Sequence, residues 1–347
     1  MIGHYPTPFK HSTTAVVPKP KKKDYSIPSA FRPIQLLECL GKVLDRIVAR
    51  RIQYEVAKHN IVPLTQFGGQ IHSCTTDAGL SLIQDIHDAW THGLKASALF
   101  FDISGFYNFV NHNGLLDRLR HHGFNESTVN FVESFLKNCT TSFSFDGFRS
   151  EPFPITNGVP QGSPLSSILA IIYGADLQKL KELIDNQIIS LAYVDDGTLL
   201  ALSNTLIQNI EKLKTAFGIV AGWLDDNGLE VQPEKLELMH FTRGPDPSSP
   251  PFTLPGSQPI VAPKAIRWLR FYLDRHLTFV HHTKTMAARA TATIRAMSIL
   301  GNTVRGMSHV QLRQLTLSTI TLFSHMAAIM VGRKTHVNEL RKITNGT

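Results

Sequence analysis

Apolar residues along this chain are grouped in short runs separated by polar turns, and three of these runs predict strands. Residues 188–194 and 199–202 are mostly apolar and flank an Asp-Asp-Gly step that ends at Gly197. Two such runs around an Asp-Gly step predict an antiparallel hairpin with a tight turn. A third run, residues 96–103, shows no polar alternation and predicts a central strand buried on both faces.

The tip of the predicted hairpin carries two adjacent carboxylates, Asp195 and Asp196. Removing a carboxylate from water is costly, and two neighbouring carboxylates also repel each other. A hard divalent cation with oxygen ligands, Mg²⁺ in the first place, would neutralise such a pair. Taken alone, the segment is explained equally well as a solvated turn without a ligand.

A third acid, Asp102, lies at the C-terminal end of the predicted strand 96–103. Because acids at the ends of neighbouring strands can converge, Asp102, Asp195 and Asp196 would form a clamp for two metal ions about 3.5–4 Å apart. Such a clamp stabilises the attacking and leaving oxygens of an in-line displacement at phosphorus. Phosphoryl transfer requires little else from protein side chains than positioning and charge neutralisation.

Residues 157–166 contain two glycines and two prolines, which predicts a loop with defined backbone turns. Ser163 followed by Pro164 predicts the start of a helix that continues through Leu177. Gln161 beside Gly162 would let an amide and a backbone contact a nucleotide or a template base. An ordinary strand-to-helix connection also explains this segment when it is considered alone.

These segments together resemble reverse transcriptases, most closely those of non-LTR (LINE-type) retrotransposons. The motifs are residues 101–105, 160–165 and 193–196, in that order and at that spacing. The resemblance extends from about residue 14 to about residue 300. It implies an α+β fold of the right-hand polymerase type, with an antiparallel palm sheet backed by helices. We expect the chain to be the polymerase core of a longer retroelement protein.

The resemblance also implies a division of the chain and a reaction. Residues 1–95 would form the fingers, 96–262 the palm with intervening helical segments, and 263–347 the primer grip and a partial thumb. The enzyme would be a nucleotidyltransferase that adds dNTPs to a primer 3′-hydroxyl on an RNA template. Its partners would be the RNA template, a DNA primer or nicked target DNA, and dNTPs. Two Mg²⁺ ions would serve as cofactors, with Mn²⁺ as a substitute.

Residue roles follow from the same resemblance. Asp102, Asp195 and Asp196 would hold the metal ions together with the carbonyl group of Ile103, and Lys235 would protonate the departing pyrophosphate. The remaining predicted contacts are with the incoming nucleotide or the template, and they involve Lys19, Arg32, Tyr107, Gln161 and Gly162. A lysine point charge and an arginine fork both suit phosphate oxygens. Position 235 is also explained as a plain surface lysine, and Tyr107 as a residue of simple core packing.

Charge is distributed unevenly along the chain, whose formal net charge is +8. Residues 1–60 hold 11 Lys/Arg against 4 Asp/Glu, residues 61–262 hold 11 against 21, and residues 263–347 hold 13 against 2. Basic surfaces attract a phosphate backbone through counterion release, whereas an acidic centre attracts metal ions. This polarity is typical of fingers and thumb around a palm that binds a duplex.

Cysteines and apolar segments indicate the compartment. The three cysteines are odd in number and widely spaced, which favours neither a disulfide framework nor a zinc module. The N-terminus lacks the apolar core of a secretory signal. Residues 315–331 are apolar-leaning but contain several hydroxyl side chains, which favours a thumb helix over a membrane span. We therefore expect an intracellular protein, nuclear or cytoplasmic, with no membrane partner; its oligomeric state stays open.

Three residues depart from the non-LTR pattern. Phe106 replaces a small residue beside the predicted sugar pocket, Asn108 replaces an acid, and Arg270 stands where the family usually has glycine. A long side chain at that last position is strained if its φ is positive. The departures leave open a decayed, inactive nucleic-acid-binding remnant. Two further hypotheses are a group II intron maturase-type reverse transcriptase and an unrelated metal-dependent phosphohydrolase.

Overall fold

The computed structural model describes residues 3–20, 22, 24–179, 188–298, 306–315 and 317–318. The predicted thumb helix at 315–331 lies almost entirely outside the described residues. The predicted α+β architecture is confirmed, because helices and mainly antiparallel sheets alternate along the described chain.

The strands of the described chain are short, and most of them lie in two five-stranded sheets. Their bounds are β1 His11–Pro18, β2 Phe31–Leu36, β3 Lys95–Ser104, β4 Cys139–Phe145, β5 Phe148–Arg149, β6 Phe153–Ile155, β7 Ile188–Tyr193, β8 Asp196–Ser203, β9 Glu230–Val231, β10 Glu237–Phe241, β11 Ala265–Trp268 and β12 Phe271–Asp274.

The helices vary from one turn to about six turns in length. Their bounds are α1 Cys39–Lys58, α2 Thr75–Thr91, α3 Phe106–Phe109, α4 His112–His121, α5 Glu126–Leu136, α6 Pro164–Tyr173, α7 Ala175–Lys179, α8 Leu206–Asp226 and α9 Val280–Ser298.

The first sheet has the strand order β2-β1-β4-β5, with β6 paired to β4. All its pairs are antiparallel except β1 with β4, which is parallel. The second sheet has the order β10-β3-β8-β7, with β9 paired to the end of β3. The β7–β8 hairpin and the central strand β3 are therefore the strands that the apolar runs predicted, although the sequence did not predict their order.

The chain divides into two compact units. The first consists of Met1–Ser73, Phe101–Thr198 and Thr215–Lys235, and the second of Cys74–Phe100, Leu199–Lys214 and Leu236–Thr347. In the first unit α6 is almost wholly buried and packs on α1, α3 and α4. In the second unit β10 pairs with residues 96–100 of β3, and the hairpin β11–β12 packs on α9.

Two local predictions were wrong in detail. The turn of the β7–β8 hairpin lies at Val194 and Asp195, and Gly197 lies within β8. Helix α6 ends at Tyr173 with Gly174 as its C-cap, so Leu177 belongs to the separate short helix α7. Both glycines lie against phenylalanine rings, since a Cβ would crowd Phe101 at Gly197 and Phe106 at Gly174.

None of the described helices has the length and apolar character that crossing a bilayer requires. The three cysteines are free thiols; Cys39 and Cys74 are exposed and Cys139 is half-buried.

Candidate catalytic site

The β7–β8 hairpin places two acids beside the end of β3. Asp195 lies in the turn and Asp196 is the first residue of β8. The backbone N–H of Ile103 donates to the Asp195 carbonyl oxygen at 3.0 Å, which fixes the turn against the strand that carries Asp102. The convergence of the three predicted aspartates on one edge of the first unit is therefore built by backbone hydrogen bonds.

The hairpin turn carries backbone strain at Val194, whose φ is +61°. A β-branched residue rarely adopts this conformation, and such strain persists only where the surroundings enforce it. The enforcing segment is 65–68, since Phe67 N–H donates to the Ala192 carbonyl at 2.9 Å and Ala192 N–H donates to Thr65 at 3.0 Å. A Cβ at Gly68 would stand 2.6 Å from Val194 Cγ2, so only glycine fits there.

Gly197 serves the site through packing. A Cβ at this position would lie 2.2 Å from Cζ of Phe101, whose ring crosses directly over the backbone of β8. Glycine is therefore required at position 197 because a ring packs closely on the strand. The sequence pattern predicted this glycine as part of the turn.

Asp102 is linked to the segment that carries Lys235. Its carbonyl oxygen accepts from Gln232 N–H at 3.0 Å, and Lys235 N–H donates to the Gln232 carbonyl at 3.0 Å. These bonds follow the β3–β9 pair, in which Ile103 is opposite Val231. The Lys235 ammonium then forms an ion pair with Asp102 Oδ2 at 2.5 Å. The structure thus brings Lys235, which the sequence could have left as a surface lysine, to the acidic edge.

The carboxylates disfavour one another's charge. Burial raises the pKa of Asp195, and the charge of Asp102 raises it further, against a smaller opposing influence of Lys235 and Arg32. Burial and then the charges of Asp195 and Asp102 raise the pKa of Asp196 to about 7. A bound divalent cation would favour the charged form of both carboxylates and lower their pKa values.

The residues fit a divalent cation by chemistry. All three side chains offer carboxylate oxygens, the ligands that Mg²⁺ prefers. Within the described part of the chain, no group of three or more acidic, histidine or cysteine side chains is arranged to hold a metal ion as it stands. The Lys235 ammonium is bonded to one oxygen of the Asp102 carboxylate.

Two further residues with predicted nucleotide contacts lie in or next to the first sheet. Lys19 directly follows β1, and its backbone N–H donates to the Ala30 carbonyl at 2.8 Å. Arg32 lies on β2 opposite Val17. Burial lowers the pKa of Lys19, and nearby cations that include Lys235 and Arg32 lower it further. Lys19, Arg32 and Lys235 therefore form a positive group in electrostatic contact with the acids.

The turn at Gln161 and Gly162 is held against β2. The N–H of Gln35 donates to the Gln161 carbonyl at 3.0 Å. Gly162 has φ +142°, and a Cβ there would stand 2.4 Å from the Gln35 carbonyl oxygen. The glycine is required because no side chain fits between the loop and the strand.

Tyr107 lies in the one-turn helix α3, beside the same loop. Its carbonyl oxygen accepts from Val159 N–H at 2.7 Å, and its hydroxyl donates to Ser167 at 3.3 Å. Burial raises the pKa of Tyr107, and the charge of Asp195 contributes, which places the ring in reach of the acids. Phe106 next to it is 3% exposed and packs against Gly174 in the interior.

Residues 17–273 match the family described as "Reverse transcriptase (RNA-dependent DNA polymerase)". The chain is 25% identical over 346 residues to the "RNA-directed DNA polymerase from mobile element jockey" of Drosophila melanogaster, a match covering 98% of this chain and 37% of that protein. It is 28% identical over 299 residues to the "Probable RNA-directed DNA polymerase from transposon BS" of the same organism, with 83% and 32% covered. The chain thus spans about a third of the length of these curated relatives.

Solved structures support the fold. The chain is similar to the telomerase of Candida tropicalis in a complex with a fragment of telomeric RNA, with a TM-score of 0.56 and 14% identity over 96% of this chain and 59% of that one. The right-hand polymerase fold that the sequence predicted is confirmed by this similarity. Because the family match covers most of the residues, the chain belongs to the reverse transcriptase family, and its relatives are enzymes of non-LTR retrotransposons.

Proposed function

We propose that this chain is an RNA-directed DNA polymerase core of a non-LTR retroelement. The observation that carries the proposal is the convergence of Asp102, Asp195 and Asp196 at one edge of the first unit, beside a group of three cations. Divalent metal ions are general in this family, and we propose two Mg²⁺ ions here, with Mn²⁺ as a substitute.

In this proposal the aspartates hold the metal ions, with the Ile103 carbonyl as a further oxygen ligand. The bound ions would lower the pKa of the primer hydroxyl and neutralise the triphosphate. Asp102 would exchange its ion pair with Lys235 for this role. The Lys235 ammonium, set free beside the acids, would then be placed to donate a proton to the departing pyrophosphate.

The other residues position the nucleotide. Lys19 and Arg32 bind the triphosphate oxygens, Gln161 and Gly162 align the nucleotide and template, and Tyr107 excludes a 2′-hydroxyl by its bulk. Phe106 does not interfere with this role of Tyr107, because its ring is buried in the interior. The partners would be an RNA template, a DNA primer or nicked target DNA, and dNTPs, inside the cell in the nucleus or cytoplasm.

A folded but inactive nucleic-acid-binding remnant is the second candidate. The observation that favours it is Arg270, whose φ of +74° is strained for any residue other than glycine. The complete set of aspartates and the glycines that fit tightly around them favour activity.

Primer extension tests the proposal. Purified protein is mixed with a DNA primer annealed to an RNA template, dNTPs and Mg²⁺, and extension is followed with time. The Asp195→Ala, Asp196→Ala double variant should extend nothing, whereas Asp117→Asn, which removes a 77% exposed acid, should be as active as the unaltered protein. Extension by the double variant, or none by a folded protein that binds the primer–template, would contradict the proposal.

A further inference from the structure

A fully buried carboxylate lies behind the nucleotide-binding turn. Asp45 is on α1 and is 0% exposed, on the helix face that also buries Val48 and Ile52. A buried carboxylate is costly unless hydrogen bonds compensate it, so its presence on an apolar helix face calls for partners.

The partners of Asp45 come from two distant parts of the sequence. The Ser163 hydroxyl donates to Asp45 Oδ2 at 2.6 Å, and the Tyr5 hydroxyl lowers the pKa of the Asp45 carboxyl group. Asp45 Oδ1 has no partner among the described residues. Burial raises the pKa of Asp45 although both hydroxyl groups oppose that shift, so desolvation is only partly compensated.

Ser163 directly follows Gln161 and Gly162, and it is also the N-cap of α6. Its Oγ accepts from Leu165 N–H at 3.1 Å while its hydroxyl hydrogen is directed at Asp45. A serine caps a helix without help from an acid. The contact with Asp45 therefore adds a constraint on where the turn ends, beyond what the helix requires.

The other side of the turn is fixed independently. Gln35 N–H holds the Gln161 carbonyl, and the Gln35 carbonyl oxygen leaves no room for a Cβ at Gly162. The turn is thus restrained between β2 on one side and the Ser163–Asp45 hydrogen bond on the other.

We propose that Asp45 is a positioning residue for polymerisation, which fixes the Gln161–Gly162 turn through its hydrogen bond with Ser163. The proposal rests on the proposed nucleotide-binding role of Gln161 and Gly162. Asp45 itself contacts neither nucleotide nor metal in this arrangement. Its contribution is geometric, and small displacements of a substrate-positioning group lower the rate strongly.

Two complementary variants and their combination test the proposal. Asp45→Ala and Ser163→Ala each remove one end of the hydrogen bond, and each should lower kcat/KM for dNTP about tenfold to a hundredfold. Most of the change should lie in KM for dNTP, with primer–template affinity unaltered. The double variant should lose no more than the worse single variant, because both changes remove the same interaction.

Two conservative variants sharpen the assignment. Asp45→Asn keeps a carbonyl oxygen that can accept from Ser163, and it should stay within about threefold of the unaltered kcat/KM. Tyr5→Phe keeps the buried ring and the Ser163–Asp45 hydrogen bond, so it should stay close to the unaltered protein. Asn125→Ala, which removes the N-cap of α5, is the matched control for general destabilisation.

Amide hydrogen exchange provides a readout that requires no catalysis. Exchange at residues 158–166 should become about tenfold faster in Asp45→Ala and Ser163→Ala and unchanged in Asn125→Ala. This measurement on the protein alone decides whether Asp45 restrains the turn, even if the unaltered protein extends no primer, so failure of the proposed function is seen separately.

Three results would overturn the proposal. The first is unchanged exchange and unchanged KM in folded Asp45→Ala protein. The second is an Asp45→Asn protein as impaired as Asp45→Ala, since the retained acceptor would then be irrelevant. The third is an equal loss in Asn125→Ala, which would attribute the effect to stability alone.

Discussion

Each compact unit contains a group of polar side chains with titratable members, half-buried and acidic in the first unit and buried in the second. The acidic group of the first unit consists of Asp102, Asp195 and Asp196. The histidine group of the second unit consists of Ser97, Ser203, Asn209 and His240, of which Ser97 and Asn209 are 0% exposed and His240 is 1% exposed. Both groups contain titratable residues, but their hydrogen bonding differs.

The histidine group is internally complete. His240 Nε2 donates to the Pro250 carbonyl at 3.0 Å, so Nδ1 accepts from the Ser97 hydroxyl at 2.7 Å. Asn209 Nδ2 donates to Ser97 Oγ at 3.1 Å and to the Lys95 carbonyl at 3.0 Å. Each donor in this chain of hydrogen bonds faces an acceptor, and the group is neutral.

The acidic group differs in its charge. Burial and then the charges of Asp195 and Asp102 raise the pKa of Asp196, and Lys235 forms an ion pair with Asp102 alone among the three. A neutral, hydrogen-bonded network stabilises a fold, whereas a cluster of like charges is typical of a site that binds a ligand. Charge and hydrogen bonding therefore favour a structural role for the histidine group and a functional role for the acidic group, without reference to sequence motifs.

The largest expected effect is on activity in the acidic group. Asp195→Asn combined with Asp196→Asn should lower the primer-extension rate by at least about a thousandfold, since the residues act as one unit. The same change should raise the free energy of unfolding by about 1–2 kcal/mol without metal, because it removes two adjacent, half-buried like charges. Primer-extension assays measure the rate, and urea unfolding measures the free energy of unfolding. A variant that is active, or less stable than the unaltered protein, would contradict the functional assignment of this group.

The histidine group should behave in the opposite way. His240→Ala leaves the Ser97 hydroxyl hydrogen and the Pro250 carbonyl without their His240 partners and opens a cavity, which should cost about 2–4 kcal/mol of unfolding free energy. Extension per folded molecule should change less than threefold. Ser97→Ala should have a similar but smaller effect on stability. A large loss of extension rate in either protein, measured when it is fully folded, would contradict a purely structural role of the histidine group.

Divalent metal ions should distinguish the two groups by stability alone. Mg²⁺ at about a hundred times its dissociation constant should stabilise the unaltered protein by about 2.7 kcal/mol. The protein with Asp195→Asn and Asp196→Asn should gain nothing, whereas His240→Ala should gain as much as the unaltered protein. Thermal unfolding with Mg²⁺ or with EDTA is the measurement, and equal stabilisation of all three proteins would remove the acidic group as the binding site.

A smaller effect is expected from acid on the histidine group. Burial lowers the pKa of His240, and Arg275 lowers it further, while the Pro250 carbonyl and Asp246 oppose the shift. Because the folded pKa lies below the unfolded value of about 6.5, the stabilisation is complete above that value and is lost as pH falls through the folded pKa. Urea unfolding from pH 7 to pH 5 should show this slope, and His240→Gln should reduce it.

The smallest effect concerns Arg270, which lies in the tight turn between β11 and β12 at φ +74°. Arg270→Gly should raise the unfolding free energy by about 1 kcal/mol, since glycine adopts this conformation without strain. Arg267→Gly, in β11, is the control and should be destabilising. An unfolding free energy of Arg270→Gly equal to that of the unaltered protein would show that the strain at Arg270 is relieved locally.

The sequence by itself determined the elements that carry the chemistry. Unbroken apolar runs predicted β3, β7 and β8, and the order of three motifs predicted the family and the right-hand fold. It also identified Arg270 as a residue in a glycine position that is strained if its φ is positive, and the structure gives that φ as +74°. These features are local, because they depend on period, on turn chemistry and on residue spacing.

Only the tertiary structure decided which residues surround those elements and why. The pairing of Lys235 with Asp102, the support of Val194 by Gly68, and the contact of Asp45 with Ser163 join residues distant in sequence. The turn glycine predicted at Gly197 proved to be a packing glycine under Phe101 for the same reason. Such contacts depend on how strands and helices pack. No local pattern of apolar and polar positions specifies which residues distant in sequence will meet.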